Sequence, residues 1–207
     1  MNVYEGADKA IRAMNRQNMK AFNRLKLAKL DELNVIREVN AVYEESVRLA
    51  KRKYYEIGIE VFIVVLYMLD YNRVDATKIA DEKITMKWVD ALLNEVDPVT
   101  LYEFTAESER KKQRLIEALA VALNRNAEID KALRYWARQI GQYAVNIVDA
   151  ARMEAFRVAG VKRVMWNTEQ DERVCDTCGP MNGMIFDLDA VPPKPHINCR
   201  CWLSAVT

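Results

Sequence analysis

The stretch CDTCGPMNGMIFDLDAVPPKPHINCRC, residues 175–201, contains all four cysteines of the 207-residue chain, its only histidine and four of its five prolines. The pattern is Cys-x2-Cys, seventeen intervening residues, then His-x2-Cys-x-Cys. A Cys-x2-Cys turn brings two thiolates to one edge of a tetrahedron, and a His-x2-Cys turn supplies the opposite edge. Four nitrogen or sulfur ligands of this kind are typical of a closed, structural zinc site. The candidate metal ligands are Cys175, Cys178, His196, Cys199 and Cys201.

Five candidates compete for four positions around a zinc ion. The two i,i+3 pairs favour Cys175, Cys178, His196 and Cys199, and Cys201 is a rival for Cys199 or His196. The spacing also permits reduced thiols or a disulfide without a metal. A module of fewer than about 50 residues has too small a core to be stable alone. A bound metal would therefore supply folding free energy to this module.

The expected compartment favours a metal over a disulfide. The N-terminal sequence MNVYEGADKAIRAMNRQ lacks the apolar region of a secretory signal. We therefore expect a reducing cytosol, in which clustered cysteines are more often metal ligands than disulfides. The apolar run Val61–Leu69 has nine residues, whereas a membrane span needs roughly 20. We expect a buried helical segment there and no membrane partner.

Helical periodicity dominates the first half of the chain, where residues 1–97 contain no proline and only two glycines. We predict a long amphipathic helical arm over residues 1–70 and a helical region over residues 71–126. In the second of these, Thr85 is a predicted N-cap, and Asp97-Pro98 is a predicted helix start.

The predicted arm carries an uneven charge, with seven basic residues and no acidic one from Lys9 to Leu30. Such a face is either ordinary solvated surface or a contact surface for a phosphate backbone or an acidic protein. The predicted basic contact face consists of Lys9, Arg12, Arg16, Lys20 and Arg24.

A long helix is predicted over residues 127–160, leading into a small β-containing Cys/His module over residues 161–207. Its apolar residues are spaced 4-3-4-3-4, which is a heptad seam. Gly160 is the predicted C′ residue that ends this helix. Strands are predicted over residues 162–168, 183–186 and 199–204. The seam residues are Ile129, Leu133, Trp136, Ile140, Tyr143 and Ile147. The predicted fold class is mainly α: a helical N-terminal arm and bundle, followed by a small α+β Cys/His C-terminal module of zinc-binding type.

Three segments together resemble the phage Mu F-like head morphogenesis family, the minor head proteins of tailed bacteriophages. They are ARMEAFRVAG (151–160), VMWNTEQDERVCDTCGPMNGMIF (164–186) and PHINCRC (195–201), and the resemblance covers about residues 140–203. Besides the five candidate ligands, the matching motif positions are Trp166, Asp171 and Gly183.

The resemblance implies a structural component of the procapsid and virion, in the head interior or near the portal. It implies a part in head assembly, DNA packaging or DNA delivery, and a place in the bacterial host cytoplasm during assembly. The implied partners are the portal protein and the coat or scaffold protein. Packaged DNA is a further candidate partner through the basic N-terminal helix.

The alternative is a zinc-module nucleic-acid-binding protein with a regulatory role, since basic residues flank the cysteines. Acidic residues in the same region oppose a strongly positive face. We expect no enzymatic activity. One histidine is too few for the two-histidine metalloprotease helix, and the zinc-deaminase motifs are missing from the sequence.

Overall fold

The structure is a computed structural model that describes residues 4–28, 34–168, 174–196 and 199–206. These residues form six α-helices and one three-stranded antiparallel sheet with the order β2-β1-β3. The predicted fold class, mainly α with a small α+β C-terminal module, is confirmed. The helices are α1 (Glu5–Leu27), α2 (Val35–Met68), α3 (Arg73–Lys83), α4 (Met86–Leu93), α5 (Phe104–Val121) and α6 (Arg125–Val158). The strands are β1 (Arg163–Asn167), β2 (Ile185–Asp187) and β3 (Trp202–Val206).

Helices α2 and α6 form the centre of the helical body: α2 contacts each of the other five helices, and α6 contacts α1, α2 and α5. The predicted heptad seam faces this core. Of its six residues, Leu133 is half-buried and the others are buried. The seam therefore belongs to the core of the chain itself.

An aromatic cluster fixes how α1, α2 and α5 meet α6. The ring of Trp136 lies 5.5 Å from that of Tyr43 and 5.7 Å from that of Phe104. Phe104 lies 5.0 Å from Tyr143, and Tyr43 lies 5.6 Å from Phe22. Most of these pairs meet edge to face, which is the favoured geometry for buried aromatic rings.

Two predicted helix ends are confirmed by their backbone hydrogen bonds. The Thr85 hydroxyl oxygen accepts from the backbone N–H of Trp88 at 3.1 Å. Gly160 has a φ of +72°, and its N–H donates to the carbonyl of Arg157 at 3.1 Å. The next N–H donates to the carbonyl of Phe156 at 3.0 Å. This pair of bonds is a Schellman motif, and it turns the chain from α6 into the sheet.

The predicted helix start at Asp97-Pro98 is wrong, because α5 begins only at Phe104. Asp97 instead accepts hydrogen bonds from the backbone of Thr100 and from the side chains of Gln142 and Asn146 on α6. Burial alone would raise the pKa of this carboxyl, but the hydrogen bonds hold it below its ordinary value. The carboxylate of Asp97 thus caps a single turn of its own segment, and α6 adds two side-chain hydrogen bonds to it.

The predicted arm over residues 1–70 contains two helices, α1 and α2, which pack against each other and against α6. The apolar residues Met14, Phe22 and Leu25 of α1 are buried. The division of the chain at residues 70, 126 and 160 stays a prediction, and all four regions contribute residues to one hydrophobic cluster.

The sheet lies directly after α6, with β1 in the middle. Val164 on β1 pairs with Phe186 on β2 and with Ala205 on β3. Val164 belongs to the main core, whereas Trp166 belongs to a separate cluster with three cysteines. The three predicted strands are confirmed, although β3 begins three residues later than predicted, at Trp202.

No helix in the described part of the chain combines the length and the apolar character that crossing a membrane requires.

We predict that Ile140→Ala lowers the free energy of unfolding by about 2–5 kcal/mol, because it leaves a cavity at the centre of the α6 seam. Urea unfolding followed by circular dichroism measures the change. Arg134→Ala is the matched control, since Arg134 is exposed on the same helix, and its effect should be close to zero. A loss below about 1 kcal/mol for Ile140→Ala would contradict the packing described above.

Candidate metal centre

The cysteines and the histidine converge around Cys178. Its Sγ lies 3.6 Å from Nε2 of His196 and 3.6 Å from Sγ of Cys199. The ligand atoms of Cys175, Cys178 and His196 all lie within 4.8 Å of one another, and so do those of Cys178, Cys199 and Cys201. Zinc bonds of 2.0–2.3 Å at tetrahedral angles give ligand–ligand edges of about 3.5–3.8 Å. The two distances from Cys178 match such edges.

The Cys-x2-Cys segment is a tight turn that orients the first two thiols. The backbone N–H groups of Cys178 and Gly179 each donate to the carbonyl of Cys175 at 3.0 Å. The Cys178 N–H also points at the Cys175 Sγ, 3.3 Å away. This contact is the main reason why the pKa of the Cys175 thiol is lowered to about 7. Cys175 thus reaches the thiolate form, the form that binds metals, near neutral pH.

The other thiols are more deeply enclosed. Burial raises the pKa of Cys178 and of Cys201. All four cysteines are free thiols. A divalent cation is the group that would offset the cost of ionising several buried thiols in one place. The residues present therefore fit a soft, four-coordinate metal ion.

These distances do not decide which four residues would bind a metal ion. Cys178 belongs to both of the groups of three whose ligand atoms lie within 4.8 Å of one another. Cys201 therefore still competes with Cys199 and His196 for a place. The cluster can hold a metal ion, and the choice of four ligands stays a prediction.

Of the predicted motif residues, Trp166 packs against the cluster and Gly183 forms the turn that leads to β2. Trp166 is buried against Cys178, Cys199 and Cys201, and its ring meets that of Phe186 at 6.4 Å. Gly183 has a φ of +80°, a conformation that L side chains rarely adopt, and its N–H donates to the carbonyl of Trp166 at 2.8 Å. Gly183 thus lets the chain turn back onto β1. The third motif residue, Asp171, lies outside the described residues.

The basic contact face lies along α1, where Lys9, Arg12, Arg16, Lys20 and Arg24 are all exposed. Lys9 pairs with Glu5 at 2.8 Å, and Arg24 pairs with Glu45. Within the described ranges, Arg12, Arg16 and Lys20 form no ion pair. These three cations are therefore the ones available for an external ligand.

The sequence did not predict a polar network that joins the start of α1 to the cysteine cluster. The buried Tyr4 hydroxyl lies 3.0 Å from Oδ1 of Asp149 and 2.9 Å from the carbonyl oxygen of Cys201. The Lys194 ammonium donates to the Tyr4 hydroxyl at 2.5 Å and to the Cys199 carbonyl at 3.1 Å. It also pairs with Oδ2 of Asp149 at 2.7 Å.

Two arginines extend this network. The Arg200 guanidinium pairs with Asp8 at 2.8 Å and lies 5.0 Å from the centre of the Tyr4 ring. The Arg152 guanidinium donates to the carbonyl of Leu203 at 2.8 Å. Burial, followed by the charge of Asp149, raises the pKa of Tyr4, so the phenol stays neutral. Tyr4 and Cys201 are 197 residues apart, and no local pattern in the sequence indicates this contact.

We predict that Tyr4→Phe lowers the free energy of unfolding by about 1–3 kcal/mol, because buried polar partners lose a hydrogen bond. The ring and its contacts with Lys194 and Arg200 remain. Urea unfolding measures the stability, and hydrogen exchange should become faster around Cys199 and Cys201. Tyr67→Phe is the control, since Tyr67 is 65% exposed. Equal stability and equal exchange in the two variants would show that the network does not hold the cluster.

Comparison with known proteins gives one match. Residues 112–204 match the family described as Phage Mu protein F like protein. The match begins within α5 and includes α6, the cysteine cluster and most of β3, so it extends beyond the segments that carry the resemblance in the sequence. No curated protein and no solved structure matches the chain. The resemblance seen in the sequence is therefore confirmed over residues 112–204, which are similar to the phage Mu F-like proteins.

Proposed function

We propose that this chain is a bacteriophage minor head protein, a structural component that acts in head morphogenesis beside the portal. The family match over residues 112–204 is the observation that supports this proposal. The matched region combines the long helix α6 with a small sheet that shares its core. Such a unit suits a structural part that presents fixed surfaces to neighbouring proteins, and the proposed role is not enzymatic.

We also propose that the cluster holds one structural zinc ion. Thiol and imidazole ligands favour zinc among the available divalent ions, through ligand type and tetrahedral geometry. Cys175, Cys178, His196 and Cys199 would hold the ion, with Cys201 as the alternative fourth ligand. The bound ion would supply folding free energy to the C-terminal module.

We predict about one zinc ion per chain in freshly purified protein, measured by elemental analysis. Removal by a chelator should loosen residues 161–203 while the α-helical circular dichroism is largely kept. Absence of any tetrahedral metal, or a disulfide such as Cys175–Cys199 in the native particle, would contradict the site.

Single substitutions test whether Cys199 or Cys201 is the fourth ligand. Cys178→Ala should abolish zinc binding, because Cys178 belongs to both groups. Cys201→Ala should keep one zinc per chain if the favoured set is correct. If Cys201→Ala loses the metal and Cys199→Ala keeps it, Cys201 is the fourth ligand.

The basic contact face on α1 is proposed to bind either an acidic surface of the portal protein or the phosphate backbone of packaged DNA. The face is exposed while the opposite, apolar face of α1 is buried in the core. Binding to phosphates would be independent of sequence and steeply dependent on salt, since each neutralised phosphate releases counterions.

We predict that reversing Arg12, Arg16 and Lys20 to Glu weakens incorporation of the chain into heads. Incorporation is measured by quantitative immunoblotting of purified heads, and DNA retention is measured at low salt. The control reverses three exposed cations of α3, namely Arg73, Lys78 and Lys83. If the α1 variant matches the control in both measurements, the basic face is ordinary solvated surface.

The regulatory nucleic-acid-binding alternative has weaker support. Two of the cations nearest to the cysteines, Lys194 and Arg200, pair with Asp149 and Asp8. They hold the module on the helices and are less available for a phosphate backbone.

A further inference from the structure

A groove of about 670 Å³ lies between α5 and α6. Small residues, Ala118 on α5 and Ala132 on α6, line it together with Leu115. The α6 residues along it extend from Glu128 to Tyr143, a length of about 22 Å at 1.5 Å per residue. A groove of this length between two antiparallel helices can receive a third helix of about four turns.

Both sides of the groove carry cations. Glu107 on its wall is already paired with Arg110 at 2.6 Å and with Lys111 at 3.2 Å. Arg114 on α5 and Arg138 on α6 are exposed and form no ion pair within the described part of the chain. The basic residues that line the groove are Arg110, Lys111, Arg114, Lys131 and Arg138, against the acidic residues Glu107 and Glu128. The charge of the groove is therefore complementary to an acidic ligand.

The aromatic residues of the groove do not suit nucleic-acid bases. Tyr43 and Tyr143 are buried in the core, so their rings cannot stack on a base. The Arg110 guanidinium covers one face of Tyr102 at 4.9 Å, and the Lys111 ammonium covers one face of Tyr135 at 5.8 Å. An apolar floor with cations on both sides suits an amphipathic helix better.

We propose that the α5–α6 groove is the docking site for an acidic amphipathic α-helix of another head protein. Apolar residues of that helix, spaced i, i+3, i+4 and i+7, lie over the half-buried Ala118 and Ala132. Its flanking carboxylates pair with Arg114 on one side and Arg138 on the other. The inference rests on the proposed head-assembly role only for the source of the helix.

A photo-crosslinker tests the proposal in cells that assemble the phage. Tyr135→p-benzoylphenylalanine in the full chain replaces one aromatic side chain by another, at a half-exposed position in the groove. After irradiation, mass spectrometry identifies the crosslinked segment, and we expect an acidic amphipathic segment of another head protein. The matched control carries the crosslinker at Arg134, which is exposed on α6 but does not line the groove.

Substitutions in the same background test the chemistry. Arg114→Glu with Arg138→Glu should lower the yield of the adduct about tenfold or more, because like charges then face the ligand. Arg114→Lys with Arg138→Lys should keep most of it. Circular dichroism confirms the fold of each variant, and these side chains are exposed, so the core is not disturbed.

The remaining outcomes contradict the proposal. An adduct with DNA, with a second copy of this chain or with a basic segment, or no adduct beyond the Arg134 control, overturns it. If the chain enters heads without a groove adduct, the proposed function stands and this inference fails. If the chain stays out of heads, the proposed function fails, and the segment crosslinked in the cell extract still decides the inference.

Discussion

Lys194 makes the contact that joins the parts of this fold. Its ammonium reaches Asp149 on α6, the Tyr4 hydroxyl at the start of α1, and the Cys199 carbonyl in the cysteine cluster. The sheet below the cluster has strands of only three to five residues, which is too little for independent stability. The cysteine segment therefore depends on contacts with the helices, of which the Lys194 network is one, for its position.

The contacts of Lys194 with Asp149 and Tyr4 specify where the cysteine segment lies on the helices. The side chains of Lys194 and Asp149 are 17% and 29% exposed, so pairing them offsets a desolvation cost and adds little net stability. An arrangement that separated Lys194 from Asp149 would leave each charge partly buried without its partner. Such an arrangement is therefore less favourable than the native one. The proposed metal would add folding free energy to the small module. The shared hydrophobic core and the Lys194 network join the Cys/His module to α6, and this is the part of the chain that matches the phage Mu F-like family.

Local patterns in the sequence predicted the features that depend on interactions between residues close together in the chain. The 4-3-4-3-4 spacing identified the buried face of α6, because helical periodicity alone places those residues on one side. Gly160 ends the helix as predicted, because its positive φ allows backbone N–H groups to bind the last carbonyls of α6. The cysteine spacing predicted the convergence around Cys178. The features that were missed depend on contacts between distant segments. Asp97 caps a turn as its local sequence indicates, but no helix follows, and side chains of α6 bind its carboxylate. Tyr4 had no local signal, and the groove depends on how α5 packs against α6.

The two proposed contact surfaces differ in kind. The basic face of α1 offers unpaired cations on an otherwise polar surface, while the α5–α6 groove combines cations with an apolar floor. The proposed place between the portal and other head proteins would need more than one such surface. Quantitative mass spectrometry of gradient-purified heads tests that role most directly. The account predicts that the chain is present in heads at a constant ratio to the portal protein across preparations. Recovery of the chain only in the soluble host extract, with none in heads, would contradict it.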